Sequence, residues 1–201
     1  MADYFTATSE DGVRFKLNQD GTWAPDITTI SNECIQFRSS NWGDNIAQVK
    51  SEEAVEPIHE TDAWLMYETQ IAGFPVNLSF RFISGMLKSG FYHFKQEHSD
   101  NNDFIFDFET LNKLLTIKYG APNETKDYWF NDMFRDDYSR RGMAIASGHH
   151  SRYFLWSDEQ TTLTLQLRGD NYEIYLSALY ESKSLKPLAD AADEREKLVG
   201  L

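Results

Sequence analysis

The chain has 201 residues, 41% of them hydrophobic and 25% charged, with a formal net charge of −13. That length and composition suit one globular domain or two small ones with a real core, and disfavour a disordered chain. The negative charge disfavours nucleic-acid backbones and anionic membrane surfaces as partners; it would attract a basic protein or divalent cations, and on the plainer reading it only keeps the chain in solution.

Aromatic residues make up 14%, with 14 Phe and 10 Tyr. Such flat side chains suit pleated, half-buried sheets. No stretch approaches the roughly 18 apolar residues needed to span a membrane as a helix. Met1-Ala2-Asp3-Tyr4 has no basic or apolar leader character. A cytoplasmic location is therefore expected, or a periplasmic one if a leader has been removed. Cys34 is the only cysteine, so no intramolecular disulfide can form. Its Asn32-Glu33 flank offers neither a base nor positive charge, and a buried, inert thiol is expected.

Residues 1–24 read as a front hairpin or small meander. Val13, Phe15 and Leu17 alternate with polar residues, and Asp11-Gly12 and Asp20-Gly21 are tight-turn pairs. This unit is too small to fold alone and is expected to pack on the rest. Residues 25–32 read as a polar linker.

Residues 37–96 form a first helix-plus-meander unit. A short helix is predicted over 45–53, capped by Asp44, with Ile46 and Val49 on its apolar stripe. Three strands follow, at 63–71, 74–83 and 87–96. In the second, Phe74, Val76, Leu78, Phe80 and Phe82 share one face. Ser84-Gly85 turns the chain, and Phe91 and Tyr92 are candidate core contacts of the third.

Residues 103–180 form the second unit. Its helix is predicted over 108–119, with Asp107 as N-cap and Phe108, Leu111, Leu114 and Leu115 on one face. Gly120 fits the residue after the helix, and Pro122 forbids continuation. Residues 123–141 read either as a strand and a helical turn or as a long ordered loop. Strands are then expected from 143–147 on through 152–156, at 162–167 and at 172–180, with Gly169-Asp170-Asn171 turning between the last two. A peripheral tail helix over 184–199 carries Pro187 in its first turn. The fold class is thus α+β, mainly antiparallel sheet. A helix followed by three strands occurs twice, which suggests an internal duplication. Helices beside meanders also recur independently in many α+β folds.

The run Phe37-Arg38, Trp42-Gly43, Val49-Lys50 resembles the opening of small uncharacterised bacterial α+β domains. Tyr119-Gly120-Ala121-Pro122 resembles their Y-G-x-P helix exit, and Asp20-Gly21-Thr22-Trp23 their D-G-T-W front hairpin. The resemblance covers about half the chain and rests on turns, caps and one packed Trp. It implies a fold, and it transfers no functional residues.

No nucleophile elbow, phosphate-binding Gly loop, dinucleotide fingerprint, H-E-x-x-H or Cys pair occurs in the sequence. Catalytic residues, metal ligands and cofactors are accordingly expected to be none. His149-His150 reads as a solvated turn. His98-Ser99-Asp100 with Asp103 lacks calcium-loop spacing, and His59-Glu60 with Asp62 reads as an exposed turn.

The segment 128–141 is rich in the residue types that protein interfaces favour. On one reading Trp129, Phe130, Met133, Phe134 and Tyr138 form an exposed anchor with Arg140 and Arg141 at its rim. On the other, the same aromatics fill the core. Three functions remain: a non-catalytic protein recognising a protein partner through this patch, an acidic inhibitor or immunity-type protein that neutralises a basic enzyme, and a hydrolase with a dispersed Asp/Glu/His site.

Overall fold

The computed structural model describes the backbone of residues 6–8, 14–17, 23–25 and 34–199, and side chains from 34 to 192. At the front, β1 (Thr6–Thr8), β2 (Arg14–Leu17) and β3 (Trp23–Pro25) pair antiparallel in that order. This is the expected meander. Its two Asp-Gly turns and residues 26–33 lie outside the described residues.

The remaining strands make one open, wholly antiparallel sheet of eight. They are β4 (His59–Glu60), β5 (Trp64–Ile71), β6 (Phe74–Ile83), β7 (Met86–Phe94), β8 (Glu124–Trp129), β9 (His150–Ser157), β10 (Thr161–Asp170) and β11 (Glu173–Ser182). Their spatial order is β4-β5-β6-β7-β11-β10-β9-β8. Each half is therefore a four-stranded meander, one strand longer than expected, and the halves join through their last strands.

The β5–β6, β6–β7 and β10–β11 hairpins are closed by residue pairs with left-handed backbone. Ala72-Gly73 has φ of 52° and 82°, Ser84-Gly85 49° and 76°, and Asn171-Tyr172 49° and 67°. Two consecutive positive φ values match the turn twist to the strand twist. The last of these shares only Asn171 with the predicted Gly169-Asp170-Asn171 turn, because β10 keeps pairing as far as Asp170.

One face of the sheet is buried. Val76, Leu78, Phe80 and Phe82 of β6 lie on it, with Leu163, Leu165 and Leu167 of β10. Leu65 and Tyr67 are the buried pair of β5. Of the two core contacts proposed in β7, only Tyr92 is buried on this face. Phe91, its neighbour in a period-two strand, points the other way and stacks with His93.

The helices are α1 (Ile46–Glu52), α2 (Asp103–Tyr119), α3 (Arg141–Ala146) and α4 (Lys186–Val199). α2 packs on β10 and β11, and α3 on β9 and β10. Several predicted boundaries move. Asn45, and not Asp44, caps α1: Asn45 Oδ1 accepts from the Gln48 N–H at 3.0 Å while Gln48 Oε1 accepts from the Asn45 N–H at 2.9 Å. Asp44 instead accepts from the Asn41 N–H. α2 starts five residues early, because its extra turn packs Phe104 and Ile105 against the core. Asp107 therefore sits inside the helix and bonds His98 Nε2 at 2.6 Å. Of the predicted α2 stripe, Phe108 and Leu111 are buried, Leu115 is half-buried and Leu114 is exposed.

Of residues 143–147, expected to open a strand, 143–146 belong to α3 and Ser147 is the residue that ends it. Gly142, Ala144, Ile145 and Ala146 are all buried there, so the apolar run has no visible period.

At the centre of the core, Phe37 lies over the β7–β11 seam. Its ring centroid is 5.1 Å from Phe80, 5.0 Å from Tyr92 and 5.1 Å from Tyr180. Gly90 makes this possible, since a Cβ there would overlap the Phe37 ring. Burying such a ring stabilises the fold by roughly 2–3 kcal/mol. Two indoles pin the periphery. Trp156 Nε1 donates to the Gly120 carbonyl at 2.8 Å, and Trp42 Nε1 donates to Thr161 Oγ1 at 2.7 Å. No helix among the described residues is long and apolar enough to cross a membrane.

Candidate partner-binding surface

The sheet ends at β4 and β8. Edge strands carry unpaired backbone groups and invite pairing with other chains. β4 escapes by having only two residues. β8 is six residues long, and it carries Glu124, Lys126 and Asp127, charges that resist casual pairing.

Pairing of β8 with β9 continues past the strand, where the Phe130 N–H donates to the His149 carbonyl at 2.7 Å. The chain then folds on itself through side-chain turns. Asn131 Oδ1 accepts from the Met133 N–H at 2.9 Å, and Asp137 Oδ1 accepts from the Ser139 N–H at 3.1 Å. Ion pairs join Arg135 to Asp132 at 3.0 Å and Arg140 to Asp137 at 2.8 Å. The Asp137 carboxyl is held below its ordinary range, first by the Ser139 hydroxyl and then by Arg140.

Asn102 clamps this loop to the start of α2. Its Nδ2 donates to the Ser139 carbonyl at 2.9 Å, and its Oδ1 accepts from the Gly142 N–H at 2.9 Å. Gly142 presses on the backbone of Asn101 and Asn102, where a Cβ would overlap main-chain atoms. The amide is thus engaged by the loop, and Asn102 makes no side-chain cap bond to its own helix.

The segment 128–141 is a strand end, an ordered loop and a 3-10 turn at Tyr138–Arg140. The seven predicted residues divide between exposed and supporting positions. Phe130, Met133 and Tyr138 are 72%, 70% and 74% exposed, and Arg140 is exposed beside them. Trp129, Phe134 and Arg141 are half-buried. Trp129 stacks on His150 and Phe134 on His149. The Arg141 guanidinium lies 4.1 Å over the Tyr138 ring. Tyr128 is a further exposed aromatic, stacked with Phe130. Phe106 on α2 and Met143 on α3, the helices that flank the loop, are also exposed. Sequence reasoning missed Asn102, whose one visible signal is its place just before an apolar helix.

Beneath the loop lies a charged network. Asp127 Oδ1 accepts from Arg152 Nε at 2.9 Å and sits 3.2 Å from His150 Nε2. Arg152 Nη1 donates to Glu109 at 2.6 Å. The His150 hydrogen bond, followed by Arg152, holds the Asp127 carboxyl below its ordinary range. His150 is 5% exposed and His149 half-buried, so the pair is not a solvated turn: stacking by Trp129 and Phe134 covers both rings. Nδ1 of His150 has no hydrogen-bond partner among the described residues. Among the described residues, the Asp127–His150 pair therefore has no nucleophile hydrogen-bonded to it.

Among the described residues, no group of three or more His, Cys, Asp or Glu side chains is placed to hold a metal ion. Cys34 is exposed, contrary to expectation. The Asp158 carboxylate in the β9–β10 turn accepts the Ile35 N–H at 2.6 Å, which holds the chain at the surface there. The same carboxylate, by hydrogen bonding first, raises the Cys34 thiol above its ordinary range and disfavours the reactive thiolate.

No protein-family model matches this chain, and neither a curated protein nor a solved structure matches it.

Proposed function

We infer that this is a non-catalytic binding protein that recognises a protein partner through the loop following β8. The observation that carries the reading is the division of labour in that loop. Phe130, Met133 and Tyr138 are presented to solvent, while Trp129 and Phe134 are fixed from below by stacked histidines. Exposed apolar side chains on a preorganised backbone lose little conformational freedom on association, which favours affinity. The test is affinity capture with the full chain and with a Phe130→Ser, Met133→Ser, Tyr138→Ser variant of unchanged circular dichroism. A partner retained by the first and lost by the second supports the reading. Equal retention by both overturns it.

Charge favours a narrower form, an inhibitor or immunity-type protein directed at a basic enzyme. Between 130 and 141 three Asp balance three Arg, so the net −13 resides elsewhere on the chain. Such a distribution steers a basic partner from a distance and leaves the contact itself to aromatics. An association rate that does not fall with added salt overturns this form. The single thiol and the absence of any possible internal disulfide suit a reducing compartment, and the cytoplasm is the location this reading favours.

A further inference from the structure

The two halves of the sheet are unequally covered. α1 has 7 residues and α2 has 17. At 1.5 Å per residue α1 spans only about 10 Å. Where α1 stops short, a half-open cavity of about 420 Å³ remains between the β5–β6 turn, α2 and the central strands. Tyr92, Phe94 and Tyr180 form its floor, and Leu111 and Leu115 its wall. The volume lies within the ~300–1,000 Å³ of small-molecule sites.

The charged groups on the lining are Arg38, Lys118 and Glu52. Arg38 is engaged through Nε and Nη2 by Glu53, at 2.6 and 2.8 Å, and this pair neutralises itself. Glu52 is exposed to water. Lys118 makes no ion pair among the described residues, and its ammonium lies 5.0 Å over the Tyr119 ring at the mouth.

We propose that this cavity binds a small amphiphile with an apolar tail and one carboxylate, of the medium-chain fatty-acid class. The tail lies along Leu111, Tyr92 and Phe94. The carboxylate meets Lys118 at the mouth, next to the Arg38 guanidinium. A half-open cavity of this volume suits a single chain of this kind and is too small for a folded partner.

The test is calorimetric titration of the full chain with dodecanoate, and with dodecanol as the uncharged analogue, both below their aggregation concentrations. The expected result is one dodecanoate per chain, weakened about ten-fold by Lys118→Glu. Leu114→Trp should abolish binding, since it fills the mouth from a cavity-lining position on α2 that is 40% exposed. Ala178→Leu fills the floor and is the second cavity variant. No saturable binding, or binding that both cavity variants leave unchanged, overturns the site. Equal affinity for dodecanol, or no effect of Lys118→Glu, overturns the assignment of the carboxylate.

Discussion

Trp129 lies flat against His150, with ring centroids 4.0 Å apart and planes 7° from parallel. The indole belongs to the edge strand and the imidazole to its neighbour, so the stack ties the loop that follows β8 to the sheet. Trp129→Ala removes the roof from a buried histidine and is expected to cost roughly 2 kcal/mol. Amide exchange in 130–140 should accelerate in that variant while exchange in β10 and β11 stays slow. Equal acceleration throughout would show that the stack supports the whole domain and not the loop.

Arg38 and Glu53 give a second prediction. The Glu53 side chain is only 4% exposed and its bidentate partner is 27% exposed. Arg38→Ala strands a carboxylate and should cost about 2–3 kcal/mol in urea unfolding. Replacing both, as Arg38→Met with Glu53→Leu, should recover most of that loss, because the penalty comes from the unpaired charge. A double variant as unstable as the single one would locate the loss in packing.

Alkaline pH probes the floor of the cavity. Burial first, opposed by nearby Arg38, pushes Tyr92 up to about 12, and burial raises Tyr180 well above its ordinary value of 10.0. An unfolded phenol ionises near 10, so above that pH the unfolded state releases protons that the folded state retains. Stability is therefore complete below about pH 10 and falls as pH rises toward 12, by on the order of 2 kcal/mol for Tyr92. Urea midpoints measured across this window should fall less steeply in Tyr92→Phe.

Gly142→Ala sets two effects of opposite sign against each other. Helix propensity alone would stabilise α3 by about 1 kcal/mol. The new Cβ, however, overlaps the backbone of Asn101 and Asn102. Main chain cannot yield as a side-chain tip can, so a net loss of roughly 2 kcal/mol or more is expected. A raised melting temperature would mean that α2 and α3 separate without cost.

These relationships differ in how visible they are in the sequence. β6 and β10 can be read directly, because Val76, Leu78 and Phe80, and Leu163, Leu165 and Leu167, repeat every second residue on a one-sided sheet. α3 cannot be read, because Gly142, Ala144, Ile145 and Ala146 are all buried and leave no period. The early start of α2 is hidden by a polar run from 98 to 103, whose Asn102 serves a distant loop and not its own helix. The aromatic loop can be located from composition alone. Which of its rings face solvent depends on His149 and His150, and their stacking is a tertiary fact that local spacing does not encode. The front sheet and the tail helix follow from alternation and from Pro187, and both match expectation where the backbone is described.

The joining of two meanders through their last strands also bears on how the chain folds. Hairpins within each half bring together residues close in sequence, and such contacts form early and fast. The seam is different: Leu176 of β11 pairs with Phe94 of β7 across about eighty residues of intervening chain. Closing it requires both halves to be largely formed, and Phe37 can settle over Gly90 and Tyr180 only once they have met. The central pair of strands is thus expected to be the last to assemble, and the rate of folding should be set by that closure and not by any hairpin.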